Sequence, residues 1–214
     1  MKKATFLITV TMMIVIFGCG GSTRNYGGNS SDTQLMLEDM IIKTIKALQN
    51  RDEAAINQLL HKDFGIVLLT RPGAHEVVII RNKIAFSNPP PGFLFMPAGA
   101  PVVEYKVRFE ELPVFDCDDA WEWNKLSGIY CQANDISKNF LSPSRIAKSL
   151  VEADLITLPA AEIKKLEQLE SKSFHYTIAV IGKTTDQFDF LNFTFTLIDG
   201  KWYLTIINMV EPCA

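Results

Sequence analysis

Residues 193–209, FTFTLIDGKWYLTIINM, decide the fold of this chain. Two runs rich in Phe, Thr, Ile, Leu and Tyr flank Asp199-Gly200, a dipeptide that favours a two-residue turn between antiparallel strands. The pattern therefore predicts a hairpin, with one strand at 188–198 and the next at 201–209.

Further strands are predicted before this hairpin. At 174–182 the bulky residues alternate, and at 103–110 apolar and charged residues alternate, as expected for strands with two different faces. Compact apolar runs at 64–70 and 75–81 are joined by Arg71-Pro72-Gly73, in which Pro and Gly favour a type II turn.

Four helices are predicted from apolar spacing and from capping residues. Residues 32–49 place one apolar stripe on a helix, and Asp52 begins a short second helix. Pro143 and Pro159 begin two later helices, which end near 153 and 171, since proline suits the first helical turn. The apolar stripe of the first helix consists of Leu37, Ile41, Ile45 and Leu48.

A proline-rich loop separates the early strands from the middle of the chain. Residues 87–101 contain five prolines and two glycines, a composition that excludes a helix and a central strand. The loop also holds Phe93 and Phe95, which must either pack on the domain or contact a partner.

The predicted order of elements resembles that of the NTF2-like superfamily of cone-shaped α+β domains. Two N-terminal helices are followed by strands and by a closing meander that contains Trp202. The resemblance covers residues 32–86 and 172–210. It implies an α+β fold in which N-terminal helices pack on a curved, mainly antiparallel sheet that leaves a pocket. The proline-rich loop and the helices at 143–171 would form an insertion.

The stretch LLHKDFGIVLLTRPGA with the Trp202 hairpin also resembles uncharacterised lipoproteins of Bacteroides-like bacteria, which implies no activity.

The first residues predict export. Lys2 and Lys3 precede an uncharged run at 4–17. Because a membrane-spanning helix needs about 20 apolar residues, this run of 14 favours a secretory signal over a permanent anchor. Ile16, Phe17, Gly18 and Cys19 resemble the bacterial lipobox, which implies cleavage before Cys19 and lipid attachment to it. An ordinary signal that leaves a free cysteine is the alternative.

These features divide the chain into a signal peptide at 1–18, a lipidated Cys19 with a flexible Gly- and Ser-rich tether to 31, and one globular domain at 32–214. The resulting prediction is a cell-envelope protein that a lipid anchors to a membrane on the non-cytoplasmic side. All 24 Asp and Glu follow the signal, which holds two of the 21 Lys and Arg, so the exported part is acidic. The exported part has no excess of basic residues, so a nucleic-acid partner is not expected.

Three cysteines follow Cys19, and exported thiols tend to form disulfides. Cys117 and Cys131 flank a turn-rich stretch and are the predicted pair, with Cys213 left over. Neither CxxC nor HxxxH spacing occurs, so a zinc site is not expected. No glycine-rich phosphate loop joins a strand to a helix, and no cofactor is predicted.

Three groups of residues are candidate sites. His61 and Asp63 follow the second helix. The functional interpretation is that the two side chains share a proton, and the alternative is an ordinary loop without a chemical role. His175 lies on the less bulky face of its strand. The NTF2-like resemblance implies that His175 faces a pocket, and a solvent-facing side chain is the alternative.

The densest unusual cluster, residues 116–123, contains four acidic residues and two tryptophans. Its acidic spacing does not fit an EF-hand loop. Trp121 and Trp123 are candidates for a surface that stacks on a sugar or peptide, and the alternative is a solvated loop stapled by a disulfide.

No motif for nucleophilic catalysis occurs. The sequence therefore predicts a non-catalytic role in binding a small molecule or an envelope protein. The alternative is a pocket enzyme of isomerase or dehydratase type, which would need an acid–base pair inside the cone.

Overall fold

A computed structural model describes residues 30–87, 103–139, 141–183, 189–210 and 212–213. The predicted signal peptide, Cys19 and almost all of the tether lie outside the described residues, as does nearly all of the proline-rich loop. In the described ranges, no helix is long and apolar enough to cross a membrane.

Four α-helices and seven strands make up the described regular structure, with one short 3-10 turn at Ile136–Lys138. The helices are α1 (Ser30–Gln49), α2 (Glu53–Asn57), α3 (Pro143–Glu152) and α4 (Ala160–Glu170). The strands are β1 (Ile66–Thr70), β2 (Val77–Arg81), β3 (Val107–Phe109), β4 (Gly128–Asn134), β5 (His175–Ile181), β6 (Phe190–Ile198) and β7 (Lys201–Asn208).

All seven strands form one sheet in the order β2-β1-β7-β6-β5-β4-β3. The four strands from β4 to β7 pair antiparallel, as do β1 and β2. β1 pairs parallel to β7, and β3 pairs parallel to β4. The sheet is therefore mixed and has open edges at β2 and β3, and the predicted α+β class is confirmed.

The hairpin predicted around Asp199-Gly200 is confirmed. Ile198 pairs with Lys201, and Asp199 and Gly200 have φ values of 50° and 79°. Two successive positive φ angles are the geometry of the type I′ turn that joins twisted antiparallel strands. Gly200 adopts this conformation without steric cost.

Side chains on one face of the sheet, called here the first face, share a buried cluster with α1 and α2. All four residues of the predicted apolar stripe of α1 belong to this cluster, and each of the four is at most 1% exposed. The cluster includes Leu37, Ile41, Ile45 and Leu48 of α1, Ile56 of α2, and Ile66, Leu68, Ile178, Val180, Phe193, Phe195 and Leu204 of the strands.

The second face of the sheet shares another buried cluster with α3 and α4. Val67 and Leu69 of β1 belong to it, so β1 contributes side chains to both clusters, and all five of its residues are buried. Its other members include Val78, Ala147, Leu166, Leu169, Ile198 and Ile206. Ser142 caps α3 by accepting a hydrogen bond from the Arg145 N–H, and Pro143 follows as the first helical residue.

A β-bulge interrupts the pairing of β6 with β7. Phe195 pairs with Leu204 and Thr194 with Ile206, which leaves Thr205 as the extra residue. The Thr205 hydroxyl lies 2.8 Å from that of Thr196 and donates to the Thr194 carbonyl oxygen at 3.2 Å. The bulge thereby adds a hydroxyl to a buried polar group on the second face.

Candidate functional site

His175 is buried on the second face, with 4% of its surface exposed. Its Nδ1 lies 2.9 Å from Thr196 Oγ1, and its Nε2 lies 3.3 Å from the backbone carbonyl oxygen of Glu170. A carbonyl oxygen only accepts, so we infer that Nε2 donates and that the Thr196 hydroxyl donates to Nδ1. The solvent-facing alternative is therefore wrong, and protein groups engage both ring nitrogens.

Burial lowers the pKa of His175 below its ordinary value of 6.5, although the hydrogen bond to the Glu170 carbonyl opposes this shift. The imidazole is therefore neutral at pH 7. In that state Thr196 donates its one hydroxyl hydrogen to His175, and it accepts from Thr205, whose hydrogen is shared with the Thr194 carbonyl oxygen. This arrangement stabilises the sheet and leaves no ring nitrogen for a ligand.

Glu170, the last residue of α4, is the buried carboxyl group nearest in sequence to His175. Its carboxylate accepts hydrogen bonds from Ser142 Oγ at 3.0 Å, Ser144 N at 2.7 Å and Ser144 Oγ at 2.6 Å. These bonds fasten the end of α4 to the start of α3. Because the carboxylate binds α3 and only the backbone of Glu170 contacts His175, the two side chains do not form an acid–base pair.

The other two histidines, His61 and His75, form no ion pair with a carboxylate among the described residues. The His61 ring packs against Phe64 and Tyr203, with centroid distances of 5.2 and 4.8 Å, and its Nδ1 accepts the backbone N–H of Asp63. It is the Asp63 backbone, and not its carboxylate, that contacts His61 in this structure. His75 is exposed in the turn before β2.

The predicted disulfide is wrong. Cys117 pairs with Cys213, with a Cα–Cα distance of 5.5 Å and a sequence separation of 96. Cys131 lies within β4 and is buried in the first-face cluster, where burial raises the pKa of its thiol to about 12. The sequence did not predict β4. This strand orients Cys131 into the core, whereas Cys117 lies near the surface.

Residues 114–124 form a small surface loop, called here the aromatic hairpin. The Asp116 N–H donates to the Glu122 carbonyl at 2.9 Å, and the Asn124 N–H donates to the Val114 carbonyl at 3.0 Å. Phe115 and Trp123 face each other across it as an isolated bridge. Because Cys117 lies in its turn, the disulfide fastens the aromatic hairpin to the C-terminal end of the chain.

The two candidate tryptophans have different environments. The buried Phe115 ring meets Trp121 and Trp123 edge to face, with centroid distances of 5.7 and 5.1 Å. Trp123 also packs on Phe190 at 4.8 Å and is only partly exposed, whereas Trp121 is 52% exposed. The two indoles therefore do not form a joint platform, and of the two only Trp121 presents a large aromatic surface to solvent.

The acidic residues of this hairpin also divide into two groups. Asp116 accepts the backbone N–H groups of Asp118, Asp119 and Ala120 at 3.0, 3.1 and 3.3 Å, which lowers the pKa of its carboxyl. Asp118, Asp119 and Glu122 are exposed, and none of them makes an ion pair within the described ranges. Among the residues the structure describes, no group of three or more His, Cys, Asp or Glu could hold a metal ion.

A second aromatic site, called here the first-face aromatic site, consists of Phe109, Tyr176 and Trp202. Tyr176 meets Phe109 and Trp202 edge to face, with centroid distances of 6.4 and 5.5 Å. Exposure falls along this row from 36% at Phe109 to 8% at Trp202. The rings therefore lead from the β3 edge of the sheet into the first-face cluster.

The Trp202 indole N–H ends this row without a hydrogen-bond acceptor among the described residues. Leaving a buried donor unpaired costs about 1–3 kcal/mol, so such a group calls for an explanation. Trp202 was expected only as part of the closing hairpin, and the environment of its indole was not predicted. Alternation along β5 and β7 places Tyr176 and Trp202 on the first face, but no pattern in the sequence indicates that the Trp202 indole lacks an acceptor.

Comparison of the chain with family models, curated proteins and solved structures finds no match.

Proposed function

We propose that this chain is a lipid-anchored protein of the bacterial cell envelope whose NTF2-like domain binds a small molecule without chemical turnover. The run at 4–17 followed by Gly18-Cys19 supports export and lipid attachment. The Cys117–Cys213 disulfide supports an oxidising, non-cytoplasmic location, because reducing compartments rarely keep structural disulfides.

The order of elements supports the NTF2-like assignment. Two helices precede the β1–β2 hairpin, and β5, β6 and β7 close the chain as a long antiparallel meander. We propose that the sheet curves around α1, so that α1 lies in its concavity. The apolar stripe of α1 supports this arrangement because it shares one buried cluster with Phe193, Phe195 and Leu204 of the meander.

The buried indole N–H of Trp202, which has no hydrogen-bond acceptor among the described residues, is the observation that carries the binding proposal. Sites for small molecules are mostly apolar and contain a few polar groups that fix orientation. At the first-face aromatic site, Phe109 and Tyr176 would supply flat apolar contacts and Trp202 a single hydrogen bond. The expected ligand class is a planar, largely apolar molecule with a hydrogen-bond acceptor at one end.

The alternative of a pocket enzyme requires an acid and a base that face a common space. His175 and Glu170 are the two buried side chains with an imidazole or carboxyl group among the described residues. Both are on the α3–α4 side and are bonded to hydroxyl and backbone groups. These positions favour binding over acid–base chemistry, and the proposal ranks the two functions in that order.

Titration with 8-anilinonaphthalene-1-sulfonate tests the proposal, because this dye combines planar rings with an anionic acceptor. The folded chain should enhance its fluorescence, and Trp202→Phe should weaken dye binding by a factor of about ten, as expected from losing one hydrogen bond of about 1.5 kcal/mol to a charged group. Trp123→Phe is the matched control, because Trp123 also has a buried indole N–H without a described acceptor.

Equal dye affinity in the wild type and in Trp202→Phe would contradict the proposal, as would the absence of binding to the folded chain. Thermal melts of the three proteins must coincide within a few degrees, so that dye binding to partly unfolded protein is not counted as site binding.

A further inference from the structure

The aromatic hairpin carries an exposed indole on a fixed support. Trp121 is 52% exposed although it contacts the buried Phe115 ring, and Trp side chains are highly buried on average. Two backbone hydrogen bonds and the Cys117–Cys213 disulfide hold the loop that bears it. A partner that contacts Trp121 would therefore meet an aromatic surface that is already positioned, which lowers the entropy cost of binding.

The sequence that forms and precedes this loop is rich in acidic residues. Residues 109–124 contain six acidic residues and no Lys or Arg. Lys125, the first basic residue after them, lies 3.6 Å from a Glu110 carboxylate oxygen and stands over the Tyr130 ring at 5.1 Å. Lys125 is thus already engaged, and the carboxylates that follow Cys117 remain without an ion-pair partner within the described ranges.

We propose that the aromatic hairpin docks a Lys or Arg side chain from a basic segment of another envelope protein. A cation over the Trp121 ring would gain a cation–π interaction, and Asp118, Asp119 and Glu122 would complement its charge. A neutral sugar could also stack on an exposed indole, but it would gain nothing from the net charge of this loop. This inference does not depend on the first-face aromatic site.

The test uses the whole exported chain, and its probe is a tetralysine peptide acetylated only at its N-terminus, so that all four side-chain amines stay charged. The chain contains three tryptophans, so the indole N–H region of an amide NMR spectrum has three resonances to follow. The peptide should shift the Trp121 resonance, and its affinity should fall as salt concentration rises, because exposed charges are screened. Trp121→Ala should weaken binding about two- to five-fold, the range expected for a cation–π contact at an exposed site.

Neutralising the carboxylates separates charge from stacking. The triple variant Asp118→Asn, Asp119→Asn and Glu122→Gln should remove most of the salt dependence and weaken binding further. Leu155→Ala is the matched control for Trp121→Ala, because Leu155 is a similarly exposed apolar residue between α3 and α4. It should leave peptide affinity unchanged.

Three results would overturn the inference. The first is that a tetraglutamate peptide, or a tetralysine peptide whose side-chain amines are acetylated, binds as tightly as the charged tetralysine probe. The charge-neutralised variant could retain full affinity. A neutral tetrasaccharide could shift Trp121 in a manner that is independent of salt and of the three carboxylates, which would identify a sugar site.

Discussion

Breaking the Cys117–Cys213 disulfide should cost the folded chain a large part of its stability. The bond closes a loop between residues 96 positions apart. In the chain-entropy model, a loop of about 100 residues corresponds to about 4.7 kcal/mol, because the cross-link restricts the unfolded chain. For a domain of roughly 150–250 residues each kcal/mol changes the melting temperature by about 2–4 °C, so the expected loss is about 9–19 °C.

Thermal unfolding followed by circular dichroism, with and without dithiothreitol, measures this effect. Cys213→Ser should melt like the reduced wild type and should not respond to dithiothreitol. Cys131→Ala should retain the full response, because Cys131 is buried and unpaired. A response that disappears in Cys131→Ala but persists in Cys213→Ser would restore the pairing predicted from sequence and refute the observed one.

Three further changes test the anchor, the core and the buried histidine. Cys19→Ser should abolish lipid labelling and release the protein from membranes, and unchanged fractionation would contradict lipid attachment. Ile41→Asp should destabilise the chain by at least about 4 kcal/mol because it buries an unpaired charge. Lys43→Asp should cost only about 1 kcal/mol, since the ion pair of Lys43 with Asp39 is exposed, and similar urea midpoints would refute this contrast. As pH falls through 6.5 the unfolded chain gains a proton that folded His175 resists, so wild-type stability should fall with pH. Urea unfolding at several pH values should show less of this dependence in His175→Gln, whereas the exposed control His75→Gln should behave like the wild type.

Local patterns were sufficient to predict most elements. The apolar stripe of α1 predicted a helix that ends at Gln49, and Asp199-Gly200 predicted the turn between β6 and β7. Pro143 and Asp52 correctly marked the starts of α3 and α2, since capping depends on residues a few positions apart. These features arise from periodicity and turn chemistry within one segment.

Features that depend on distant partners were not predictable in the same way. β4 is buried over residues 128–131 and exposed over the next two, so it lacks the alternation that identifies a strand. Its position between β3 and β5 is set by long-range pairing. The approach of Cys213 to Cys117 likewise follows from the tertiary fold and not from their spacing.

The candidate site was predicted only in part. The sequence singled out Trp121 and Trp123, but it could not separate an exposed indole from a partly buried one on the same hairpin. His175 was placed correctly opposite the bulky row of β5, yet its burial depends on Thr196 and on the end of α4. Trp202 was missed because an unpaired donor can be recognised only once its surroundings are known.

The most direct test of the binding proposal is the indole N–H resonance of Trp202 during titration with 8-anilinonaphthalene-1-sulfonate. Loss of one of the three indole signals in Trp202→Phe assigns the resonance. We expect a saturable downfield shift of this signal, because the N–H gains an acceptor, while the Trp121 and Trp123 signals move little. A Trp202 signal that stays in place while dye fluorescence rises would contradict the binding proposal.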